Sequence, residues 1–296
     1  MDEEPSEQSA VKEESGFILS LSSKGLLFFL FVGISFLVFT VGGYENFVPS
    51  GIRPLNRAIV FCILVVSVYV AKKSEKLQPY WRVLFSFAVS SAGLLAAWYL
   101  GQLFRLIPGL SISTVEGVAI AKIAEVFPII VAIVLGVWIV EKDMTSVFLK
   151  GGNVKRSITL GLLVSPLGLI TFLALGGLGI TVEANLIISW IPWIFAFSIA
   201  NSLMEELMIR GLFLRKYAVF FGQTGSLLLT SVVFTLFHFA ILANADFILS
   251  SILVVIFFVF GLAWGYVTQK SDNIWGSVLA HMISDMLVIL AVFGAV

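Results

Sequence analysis

The sequence predicts an all-α fold, a polytopic transmembrane helical bundle of eight or nine spans. Three observations predict it. Hydrophobic residues make up 59% of the 296 residues and charged residues only 12%, against about a half and about a quarter in a soluble domain. Mean hydropathy is +1.05. Apolar runs recur from residue 25 to residue 292, each near the ~20 residues a helix needs to cross a bilayer. With 18 basic and 18 acidic residues the net charge is zero, so the chain has no basic footprint for nucleic acid. A single cysteine, Cys62, excludes an intramolecular disulfide and a cysteine metal cluster. Its apolar run makes it a buried structural residue by expectation.

The chain begins MDEEPSEQSAVKEE. This start is acidic, unlike the positive first region of a secretory signal peptide, and residues 1–24 read as a disordered cytoplasmic tail. Nine candidate spans follow: 25–43, 55–71, 83–103, 119–140, 158–175, 186–214, 226–242, 247–267 and 275–292. The second is short. The fourth is preceded by an amphipathic stretch, VEGVAIAKIAE, that could lie on the membrane surface, which is why the count is eight or nine. Pro128, Pro166 and Pro192 fall in spans, where proline kinks a helix.

Loop charges orient the bundle. With nine spans and the N-terminus inside, 13 of the 18 Lys and Arg lie on inner segments. Four lie on outer ones (Arg53, Arg57, Arg105 and Lys122), and Arg210 lies within a span. The excess of inner positive charge places the N-terminus in the cytoplasm of a multi-pass membrane protein. Polar groups at membrane depth concentrate in the last four spans. Residues 25–180 therefore read as scaffold and residues 181–296 as the working region.

Ionisable side chains inside a span point to function. Beyond Arg210 five qualify: Glu205, Glu206, His238, His281 and Asp285, with Glu125 a weaker sixth. Glu206 and Arg210 are four residues apart and share a helix face, whereas Glu205 sits about 100° away. Arg210 is thus expected to neutralise Glu206 and to leave Glu205 available. His281 and Asp285 are also four apart, so the carboxylate can orient the imidazole. At 1.5 Å per residue, Glu205, His238 and His281 lie roughly 15, 18 and 9 Å from the inner boundary, so one cavity could hold all three. Gly261 and Gly265 have a small-xxx-small spacing that lets helices approach.

Read together, EELMIR, then Phe234 with His238 in FTLFHF, then a glycine-bearing span, then HMISD resemble the type II CAAX prenyl protease and bacteriocin-processing family of intramembrane proteases (CPBP, or Abi). The resemblance covers about residues 196–292 and implies peptide-bond hydrolysis inside a helical bundle. It makes Glu205 the general base that activates water and His238 a holder of that water. Glu206 and Arg210 organise the site. His281 and Asp285 position the substrate carbonyl or its oxyanion, and Phe234 lines the site. An ionised Asp accepts hydrogen bonds but donates none, so Asp285 is expected to orient or charge His281.

The favoured mechanism requires no cofactor. The alternative is zinc held by Glu205, His238 and His281, since a catalytic zinc takes three protein ligands and a water, although no H-E-x-x-H is present. The implied substrate is a membrane-associated or lipidated peptide or protein, cut near the cytoplasmic face, with the lipid bilayer the other partner. A proton-coupled transporter uses the same residue types as relays, and a catalytically idle immunity or scaffold relative would keep the same motifs. Both remain alternatives.

Overall fold

The computed structural model describes residues 21–44, 48–175 and 183–294. Residues 1–20 of the expected tail lie outside these, and residues 21–24 already belong to the first helix. All regular structure among the described residues is helical. Helix α1 (Leu21–Ser35) widens over Phe36–Tyr44. Next come α2 (Arg53–Lys73), α3 (Trp81–Leu100), α4 (Val115–Val140), and the pair α5 (Val154–Val164) and α6 (Gly168–Ala174), broken at Ser165–Leu167 around Pro166. Then come α7 (Ala184–Glu206), continued by a wide π-helical stretch Leu207–Leu214, and α8 (Arg215–Phe237). The short α9 (Phe239–Asn244), α10 (Phe247–Ser271) and α11 (Trp275–Gly294) complete the chain.

Among the described residues, eight helices are long and apolar enough to cross a membrane. The sixth runs Ala184–Phe237, 54 residues. A straight helix of that length would measure about 80 Å, far more than the ~30 Å of a hydrocarbon core. It does not run straight. Gly222 has φ 68° and ψ −179°, a conformation essentially confined to glycine. The chain reverses there, because Ser226 Oγ donates to the carbonyl of Leu214, twelve residues earlier. In a continuous helix those residues would stand about 18 Å apart. The two arms of this hairpin correspond to the expected spans 186–214 and 226–242.

Three further expectations need adjustment. The lead-in VEGVAIAKIAE does not lie apart from the fourth span. It is the first turns of α4, started by Thr114, whose hydroxyl accepts from the amide of Gly117 at 3.2 Å. Lys122 is therefore within a span rather than in an outer loop. Cys62 is exposed, on an outward face of α2 among the exposed Ile59, Ile63 and Val66. The run packs its other face, through Val60 and Leu64, into the core. Lys216, assigned to an inner loop, is buried: Nζ lies 3.0 Å from Glu141 Oε1 and 2.9 Å from Ser86 Oγ. A cation this deep needs a partner, and the tie links α8 to the end of α4 and to α3.

Packing then places the working helices. Helix α4 packs on both α3 and α7, and so joins the N-terminal spans to the hairpin. Helix α11 packs on α7, α5 and α10. Its first turn is fixed where the amide of Gly276 donates to Ser157 Oγ at 2.8 Å. Helix α10 crosses α8 closely. A Cβ on Gly261 would lie 2.7 Å from Ser231 Cα, and one on Gly265 would lie 2.5 Å from Leu227 Cδ1. The small-residue spacing in this span is a backbone contact surface.

Candidate active site

The site forms where α7, the π-helical stretch, the end of α8, α10 and α11 converge. Glu206 is its structural centre. Arg210 Nη1 lies 2.9 Å from Glu206 Oε1, and both side chains are fully buried. The four-residue spacing thus makes the expected pair. Arg210 Nη2 donates to the carbonyl of Gly261 at 3.3 Å, and the guanidinium lies 4.2 Å from the ring centroid of Phe234. Such stacking on an aromatic face suits a delocalised cation. Facing lipid, this ion pair would be costly, so it is enclosed by protein.

Glu206 also takes His281. Nδ1 of His281 lies 3.0 Å from Glu206 Oε1, and the imidazole stacks on Trp264 with centroids 4.0 Å apart. A carboxylate oxygen accepts, so Nδ1 carries the hydrogen. The expectation that Asp285 orients this ring is corrected in part. Asp285 Oδ1 is 3.5 Å from His281 Nε2, too long for a good hydrogen bond, and the closer partner comes from the facing helix. The other oxygen of Asp285 accepts from Asn201 Nδ2 at 3.0 Å.

His238 is held differently. Hydropathy places it inside a continuous span, yet the helix breaks at this residue, with φ −90° and ψ 13°. Its amide bonds the carbonyl of Thr235 at 3.1 Å instead of that of Phe234, the regular partner four residues back. The Phe234 carbonyl is thereby left to the imidazole, with Nδ1 at 2.9 Å. A carbonyl only accepts, so Nδ1–H is again the donor. The ring stacks on Phe257, centroids 4.2 Å apart.

Both histidines therefore turn Nε2 inward, and both face one atom. Glu205 Oε2 is 3.6 Å from His238 Nε2 and 3.8 Å from His281 Nε2. The residue is buried, and this oxygen has no hydrogen-bond partner. Separations just beyond 3.5 Å are those at which a bridging water is to be asked for. Two nitrogens and a carboxylate oxygen are also the donor types of a catalytic zinc centre. Among the described residues, no group of three or more His, Cys, Asp and Glu is arranged to hold a metal.

Residues 187–287 match the family model of the type II CAAX prenyl endopeptidases, Rce1-like. The match supports the resemblance drawn from the three motifs, and it spans about a third of the chain. Comparison with curated proteins and with solved structures returns no match. The chain is a multi-pass α-helical membrane protein with a region similar to the type II CAAX prenyl endopeptidases.

Within that region the structure brings together seven of the residues singled out from sequence; the weaker candidate, Glu125, lies apart on α4, paired with Lys122. Glu205, Glu206 and Arg210 come from one helix, Phe234 and His238 from the returning arm, His281 and Asp285 from the last helix. Phe234 is buried at the centre, with its ring 4.7 Å from that of His238 and 5.8 Å from that of His281. Sequence reasoning missed Asn201, Phe257 and Trp264. Asn201 had a usable signal, since it lies four residues before Glu205 on the same helix face. The two ring-stacking residues had none, because an aromatic in an apolar span reads as lipid contact or core.

Proposed function

We propose that the endopeptidase region hydrolyses a peptide bond of a membrane-associated or lipidated substrate near the cytoplasmic face, with Glu205 as the base that activates water. One observation carries this proposal: a buried, unpartnered carboxylate oxygen faced by two inward-turned Nε2 atoms. A water in that gap would give a proton to Glu205 and a second hydrogen bond to Nε2 of His238. The hydroxide so formed attacks the substrate carbonyl carbon, and His281, entering as the imidazolium beside Glu206, donates Nε2–H to the oxyanion. Glu205 then passes its proton to the departing amine as the C–N bond breaks. Arg210 balances Glu206, so that Glu206 orients His281 without competing for the water.

No cofactor is required in this scheme. Glu205, His238 and His281 are the residues that would hold zinc in the other one, where the metal would lower the pKa of its water.

The test compares membrane-peptide termini in cells making the wild type with those in cells making Glu205→Gln. Termini seen only with the wild type support the proposal and name the substrate. Identical termini from two inserted, equally abundant proteins, together with a panel of lipidated reporters left uncut, reject it.

A further inference from the structure

Beside this site, a cavity of about 380 Å³ opens between the start of α2, the loop after α3, α4 and α7. Its lining includes Arg53, Arg57 and Lys122, with Glu125 the one carboxylate among the described lining residues. Arg53 and Arg57 stand in the first turns of α2 and Lys122 in α4, so two helices bring three cations to one cavity. Arg105 follows Phe104, which lines the cavity, but is not itself in the lining. Three cations against a single carboxylate give the cavity a net positive lining.

The cations are held in place. Arg57 lies 4.3 Å above the ring of Trp98 and donates to the carbonyl of Gly43. Arg53 Nε donates to the carbonyl of Val48 at 2.8 Å. Lys122 lies 2.8 Å from Glu125 Oε2 and 5.8 Å from the ring of Phe197. The rest of the lining is largely apolar. Leu103, Leu106 and Ile112 beside it are exposed, in position for acyl chains. Arg53 is the first residue of α2 and Arg57 the fifth, so the two guanidinium groups sit where a span begins, at head-group depth, with Lys122 deeper on α4.

We propose that this cavity binds the phosphate of an anionic phospholipid, with the acyl chains running along the apolar rim. Guanidinium groups match phosphate in geometry and charge, and basic pockets between transmembrane helices take lipid head groups. An anion without a tail would leave the apolar rim unused. The site borders the endopeptidase region. Phe197, in its wall, precedes Glu205 by eight residues on α7, about 12 Å along one face. The lipid would therefore brace α7 against α2 and α4 and give the N-terminal spans a binding role. The proposal does not depend on the proteolytic mechanism.

The test is native mass spectrometry of the full chain, released from detergent with phosphatidylglycerol, phosphatidylcholine or inorganic phosphate. The wild type should retain phosphatidylglycerol in preference to phosphatidylcholine. Arg57→Gln with Lys122→Gln should reduce that preference about 30-fold, at about a tenfold per 1.4 kcal/mol and ~1 kcal/mol per cation. Arg105→Gln removes the same kind of charge from the same end and should leave the preference intact. If the double variant fails to fold, Arg53→Gln alone should lower the preference. Three results overturn the proposal: equal retention of both lipids by the wild type, selectivity that survives the double variant, or inorganic phosphate displacing phosphatidylglycerol. Loss of substrate cleavage in the double variant with lipid selectivity unchanged would also overturn it, by assigning the cations to the peptide.

Discussion

Nδ1 of His281 and Oε1 of Glu206 stand 3.0 Å apart, and the same oxygen lies 2.9 Å from Nη1 of Arg210. One carboxylate atom thus fixes a ring from α11 and a cation from its own helix. The adjacent carboxylate, Glu205, makes no such bond through Oε2. Two neighbouring glutamates are thus held differently, Glu206 as a framework group and Glu205 with one oxygen turned toward the two histidines.

Removing the framework group should therefore cost stability as well as activity. Glu206→Gln leaves Arg210 charged and fully buried, and breaking a buried pair from one side costs about 3–5 kcal/mol. A thermal melt in detergent should show this loss, whereas Glu205→Gln should melt close to the wild type. Equal melting of the two variants would contradict the division of roles.

Asp285 accepts from Asn201 and sits 3.5 Å from the His281 ring. Asp285→Asn keeps a carbonyl that can accept from Asn201, so its cleavage rate should fall by no more than about tenfold. Asp285→Ala strands the Asn201 amide and should fall by about 100-fold, within the range of a lost acid–base contribution. Turnover of a lipidated reporter measures both. A larger loss for Asn than for Ala would rule out a positioning role.

Gly261 has Ser231 Cα where its Cβ would go, 2.7 Å away, and its carbonyl accepts from Arg210. Gly261→Ala must push α10 off α8. Overpacking of this kind costs about 1–3 kcal/mol, and here the shift also moves the partner of Arg210. We expect a lower melting temperature together with reduced cleavage. A neutral effect on both would show that the helices separate freely.

Chelation distinguishes the two schemes for the water. With glutamate alone as base, the purified enzyme should keep its cleavage rate after dialysis against a strong zinc chelator and should hold well under one zinc per chain. Loss of activity that returns on adding zinc would transfer the mechanism to the metal, with the same three residues as its ligands.

The site was legible in sequence to the extent that it is charged. Carboxylates, an arginine and two histidines stand out in apolar spans, and a spacing of four residues gave the Glu206–Arg210 contact. It gave His281–Asp285 less well, because the facing helix supplied a better partner. What sequence did not reveal was backbone. Nothing in FTLFHF marks the break at His238 that frees the Phe234 carbonyl, since no proline or glycine is there. The reversal was legible as two spans, and Gly222 explains its position. The burial of Lys216 was hidden because a lysine beside Arg215 reads as a loop, and its partner Glu141 is 75 residues away.

The hairpin around Gly222 also has a consequence for biogenesis. A chain leaving the ribosome completes Glu205, Glu206, Arg210 and His238 on adjoining segments well before α11 is made. The second inward-facing nitrogen belongs to His281, on α11. Until α11 is inserted, the centre therefore lacks that nitrogen. Under the proposed function, competence to cut awaits the insertion of α11 beside α7.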